Sequence, residues 1–81
     1  MVKPLPDKWS KFVAGQPETG MDYNVVAVTL RDGRVIQDVA VIGSSMVNEV
    51  RGLADIPFDP YEITDMEVTH RKWNFQSERQ S

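Results

Sequence analysis

The stretch from Tyr23 to Gly43, YNVVAVTLRDGRVIQDVAVIG, constrains this chain more than any other. Two runs rich in β-branched residues flank Asp32-Gly33. β-Branched side chains fit a pleated sheet, and Asp-Gly is a favoured two-residue hairpin turn because both central residues take positive φ. That turn sets Arg31 opposite Arg34, Leu30 opposite Val35, Val28 opposite Gln37 and Val26 opposite Val39. Side chains alternate with period two, so Val26, Val28, Leu30, Val35 and Val39 share the expected core face. The other face holds Val25, Ala27, Thr29, Ile36, Asp38 and Ala40. It is half apolar, so something is expected to cover part of it.

Around this hairpin the pattern weakens. GSS at 43–45 breaks the strand, and MVNEVRG predicts a third one, with Met46, Asn48 and Val50 on one face and Val47, Glu49 and Arg51 on the other. Asp59 followed by Pro60 is a helix start, with a capping carboxylate and then proline at the first helical position. Glu62 completes a capping box, and Phe58 with Ile63 a hydrophobic staple, which predicts one or two helical turns over 59–64. TDMEVTHRKW then alternates as a last strand, with Met66, Val68 and His70 facing one way and Asp65, Glu67, Thr69, Arg71 and Trp73 the other.

At the start, PDKWSKFVAG spaces Trp9, Phe12 and Val13 as a short helix would, with Asp7 as cap and Gly15 at the end. A largely disordered arm over 1–22 is the alternative. The expected organisation is therefore this arm, a small β domain over 23–75, and a frayed polar tail over 76–81. The expected fold class is mainly β: a four-stranded, mostly antiparallel sheet curled as an open, SH3-like small barrel, with a short helix before the last strand. A flat sheet with the N-terminal helix laid on it is the competing layout.

Size narrows the function. Eighty-one residues make one domain, and a chain this short buries only about 60–65% of its unfolded surface. That leaves little room for an enclosed substrate cavity, so a non-enzymatic role is expected. With no cysteine and a single histidine, neither a disulfide framework nor a cysteine or histidine metal cluster can form. The carboxylates between 55 and 67 lack the alternate-position oxygen ligands and central glycine of a calcium loop. No cofactor is expected. His70 could serve as a general base with Ser44 or Ser45 as nucleophile, but the spacing does not pair them. A hydrogen-bonded structural histidine is the simpler expectation.

No run approaches the roughly 18–20 apolar residues that span a membrane. MVKPLPDKWSKF carries a lysine without an apolar run behind it, so no secretory signal is expected and the expected location is a bacterial-type cytoplasm.

The formal charge of −3 is uneven. Residues 1–24 and 25–52 each balance, 53–69 carry Asp55, Asp59, Glu62, Asp65 and Glu67 without a lysine or arginine, and 70–81 return net positive charge. A local acidic segment suits a basic partner surface and disfavours phosphate backbones. The candidate partner-binding residues are Asp55, Asp65, Glu67, Arg71 and Trp73. The expected partner is a protein with a basic surface, with no membrane, and homo-oligomerisation is open. The alternative is a small-barrel nucleic-acid binder using the hairpin arginines and the basic-aromatic cluster Arg71, Lys72, Trp73 and Phe75, since stacking plus charge holds single strands.

Two resemblances follow from the motifs. VTLRDGR, VRGLADIPF and the terminal I…VTHRKW together resemble a set of short bacterial proteins of unknown function, a likeness that implies a domain-sized family and transfers no functional residue. VTLRDGR, SSMVNEV and VRG are also superficially similar to Sm-like RNA-binding proteins, which would implicate Asn48, Arg51 and Gly52 in base contacts. In that family the Asn and the Arg-Gly step lie on separate loops, whereas here only Glu49 and Val50 separate Asn48 from Arg51.

Overall fold

The computed structural model describes residues 2–71. Five strands form one antiparallel sheet that curls into a half-barrel: β1 (Lys3–Pro4), β2 (Tyr23–Leu30), β3 (Val35–Ile42), β4 (Met46–Val50) and β5 (Ile63–Val68), in the order β1-β4-β3-β2-β5. Helix α1 (Asp7–Ala14) follows β1, and a 3-10 helix (Pro60–Glu62) precedes β5. The expected four strands are thus five. The extra one, β1, is two residues long, too short to show periodicity. It pairs Lys3 with Val47 and Pro4 with Met46 at the sheet's edge, where a proline's missing N–H is tolerated.

The Asp32-Gly33 turn is not the expected two-residue one. Gly33 has φ of 95° while Asp32 is not left-handed. The Leu30 amide bonds the Arg34 carbonyl at 2.8 Å and the Gly33 amide bonds the Leu30 carbonyl at 2.9 Å, so the loop holds three residues. A three-residue loop with a left-handed glycine shifts the register by one relative to a two-residue loop. Thr29 therefore faces Val35 and Val28 faces Ile36. Val35, expected in the core, is 54% exposed, and Ile36 packs on the core instead. The two-left-handed geometry occurs at the next turn, where Gly43 and Ser44 have φ of 59° and 61° and the Ser45 amide closes on the Ile42 carbonyl.

A bulge then undoes the shift. Ala27 of β2 faces both Gln37 and Asp38, and below it Val26 faces Val39 as expected. Two further bulges follow the same pattern. Asn48 is the extra residue of β4 against β3, and Thr64 the extra residue of β5 against β2. In each case core residues fall three apart: Ile36 and Val39, Val47 and Val50, Ile63 and Met66. This is why β4 alternates poorly in the sequence and why Val47, expected opposite Val50, shares the core with it. Bulges bend a strand and increase its twist. Each long strand pairing has one, which accounts for the curl.

The concave side is filled by the N-terminal segment and by the β4–β5 connection. Trp9 and Val13 of α1 and Leu5 join the valines of the sheet, and Ile56 and Phe58 enter from the β4–β5 connection. Trp9 donates its indole N–H to the Ile63 carbonyl at 3.3 Å and meets Phe12 edge to face at 5.9 Å. Pro6, rather than Asp7, takes the N-cap position of α1, and Asp7 lies in the first turn, where a carboxylate favours the helix dipole. Asp59 does cap the 3-10 helix, accepting from the Tyr61 amide at 3.0 Å. Glu62 reaches back through its backbone amide to the Asp59 carbonyl, not through the side chain a capping box would use.

Candidate functional site

The half-apolar outer face is covered in part, as its composition suggested. Val25 and Ala40 are fully buried there, with Tyr23 packed on them. The loop before β2 is held down by Asn24, whose side-chain amide donates to the Pro17 carbonyl at 2.8 Å, and by Thr19, whose Oγ1 accepts the Val25 amide at 2.9 Å. A Cβ at Gly20 would overlap the Tyr23 ring, so this loop needs a glycine where the ring crosses it.

His70 was expected on the core face of the last strand. β5 ends at Val68 instead, and His70 turns off with φ of 56°. Its amide and that of Thr69 both donate to the Val25 carbonyl. Its Nδ1 lies 2.6 Å from Thr19 Oγ1. That oxygen also accepts the Val25 amide, so Thr19 links the imidazole to the backbone of β2. Ser44 and Ser45 sit in the β3–β4 turn, and no hydrogen bond joins either to His70 among the described residues. The imidazole therefore fastens the end of β5 to the loop before β2.

The expected partner-binding residues do not form one surface. Asp65 and Glu67 are exposed on β5, the last strand on one side of the sheet. Asp55 lies in the β4–β5 connection, beside a shallow cavity of about 210 Å³ lined by Asn48, Val50, Leu53 and Ile56. Two strands, β3 and β2, separate β4 from β5. Arg71 is turned onto the outer face of β3, with its Nε 3.7 Å from Asp38 Oδ1. Trp73, Lys72 and Phe75 lie outside the described residues.

The hairpin arginines also have partners inside the molecule. Arg34 pairs with Asp32 at 2.9 Å, and Arg31 donates to the Tyr61 carbonyl at 3.4 Å. Among the described residues no three His, Cys, Asp or Glu side chains group as metal ligands. No described helix is long and apolar enough to cross a membrane.

What sequence reasoning missed is the edge itself. Asp65 folds its carboxylate over the neighbouring backbone and accepts the Met66 amide at 2.9 Å. The local signal was present in the alternation of Asp65 and Glu67 with Met66 and Val68. The strand order that leaves β5 terminal depends on pairing across the chain and has no local signal. No family model, curated protein or solved structure matches this chain.

Proposed function

We propose that this protein is a non-enzymatic interaction domain of SH3-like layout that docks a protein partner with a basic surface through β5. The observation that carries the reading is the pair Asp65 and Glu67, both exposed on a terminal strand. Neither makes an ion pair with a lysine or arginine among the described residues. Exposed carboxylates on one strand create a local negative potential that steers a basic surface and fixes its register. Asp55 belongs to a separate region, so the docking face is β5 and not the whole acidic segment.

Asp32 beside Arg34 and Asp38 beside Arg71 lower the net positive charge that the nucleic-acid alternative would offer to phosphates at those two positions. The test is affinity capture from a lysate of the source cells, with the parent chain and an Asp65→Lys, Glu67→Lys double variant as baits. A defined protein captured by the parent, released by salt and lost with the variant is the expected result. Equal capture by both baits would overturn the reading. Salt-sensitive recovery of nucleic acid in its place would favour the alternative.

A further inference from the structure

β5 offers a partner more than charge. It is a six-residue strand paired with β2 on one side. On its other side no strand lies among the described residues. An unpaired strand edge presents backbone donors and acceptors that template a further strand. The Met66 amide is one of these donors, because it bonds the Asp65 carboxylate and not β2. In an antiparallel ladder the outward-facing groups recur every second residue, so Val68 presents its amide on the same side.

We propose that β5 takes up an extended segment of a protein partner as a sixth, antiparallel strand, and that the segment alternates basic and apolar residues. This rests on the docking reading above and deepens it. The alternation follows from the pleat. Residues opposite Asp65 and Glu67 lie on the outer face, where a lysine or arginine meets a carboxylate. Residues opposite Met66 and Val68 lie on the inner face, beside the core. Cross-strand pairs of opposite charge stabilise a sheet, and like charges directly opposite destabilise it. A second copy of β5 would bring Asp65 and Glu67 against their own equivalents, so the edge disfavours its own copy and favours a basic strand. Asp65 has a double role. In the free protein its carboxylate caps the Met66 amide. An incoming cation draws the carboxylate away and frees the donor for the new strand.

The probes are three capped peptides: one alternating Lys and Val, the same peptide N-methylated on the backbone edge that would face β5, and one alternating Glu and Val. Each is titrated into the full chain and followed by amide NMR and hydrogen exchange. The Lys–Val peptide is expected to shift and protect the Met66 and Val68 amides. N-methylation should weaken binding roughly tenfold, the effect of losing one or two net hydrogen bonds. The Glu–Val peptide should not bind. The Asp65→Lys, Glu67→Lys variant should lose the Lys–Val peptide.

If N-methylation changes nothing while charge reversal still abolishes binding, strand addition is wrong and the acidic docking face stands. If neither changes binding, both fall. Failure of the Lys–Val peptide to bind, or protection centred on β4, overturns the strand-addition proposal.

Discussion

Asp32 shows how a single carboxylate sets local structure at the tip of the main hairpin. Its Oδ1 accepts the Arg34 amide at 3.1 Å and its Oδ2 the Arg34 Nε at 2.9 Å. The backbone bond is the larger influence, followed among the stabilising ones by the side-chain bond and the charge of Arg34, and together they hold the carboxyl below the ordinary aspartate range. Hydrogen bonds to the charged form favour it. A carboxyl depressed in the folded state adds stability above its unfolded value of about 3.9, and that contribution is lost as pH falls through the folded value. The group is fully exposed, so the effect belongs in its titration curve and not in the melting curve. An NMR pH titration is expected to place the Asp32 midpoint below those of unpaired aspartates. Arg34→Ala removes the guanidinium and keeps the amide, so it should raise the midpoint only part of the way. Full recovery to the ordinary value would mean that the ion pair, not the turn's backbone bond, is in control.

At the scale of elements, the strands were legible and their irregularities were not. Clustered β-branched residues identify β2 and β3 from composition alone, and the inward face is right wherever the ladder is regular, as at Val26, Val28 and Val39. Period-two reasoning fails at the bulges because nothing local in the sequence distinguishes an extra residue from an ordinary strand residue. Asn48 is such a residue and brings Val47 into the core with Val50, while Val35 and Ile36 exchange faces because the turn before them holds three residues and not two. The same limit applies to the candidate site. The outward direction of Asp65 and Glu67 follows from alternation, while the separation of Asp55 from them follows from strand order, which is set by pairing across the whole chain.

Asp38 tests the bulge directly. Its φ is 55°, and its carboxylate faces Arg71 at 3.7 Å. Left-handed backbone costs an ordinary L-residue roughly 1–2 kcal/mol, and Asp and Asn visit it more readily than β-branched residues do. Asp38→Val is therefore expected to lose about 1–2 kcal/mol of stability by chemical denaturation, and Asp38→Asn much less. Equal losses in the two variants would transfer the cost from the backbone to the Arg71 pairing.

At the scale of the whole molecule, the N-terminal segment and the sheet share a single core. Leu5, Trp9 and Val13 lie in the same cluster as Val26, Val39, Phe58 and Ile63. Lys3 donates to the Phe58 carbonyl at 2.9 Å, and the Trp9 indole to that of Ile63 at 3.3 Å, so these ties join segments 55 and 54 residues apart. A curled sheet without α1 would leave its concave face open to water. An 81-residue domain has a total stability on the order of 5 kcal/mol. Truncating a buried Trp to Ala costs about 3–5 kcal/mol, a comparable amount. Trp9→Ala should therefore leave no more than about 2 kcal/mol, so that a measurable fraction of the chain is unfolded at room temperature, and Trp9→Phe, which keeps most of the apolar volume, should fold with a smaller loss of Tm. With Trp73→Phe as background, Trp9 is the one remaining indole. Its fluorescence should then change together with the far-UV circular dichroism of the sheet in a single transition. A fluorescence transition well below that of the sheet would show α1 detaching first, and would divide what is here one cooperative core into a β domain and a helical appendage.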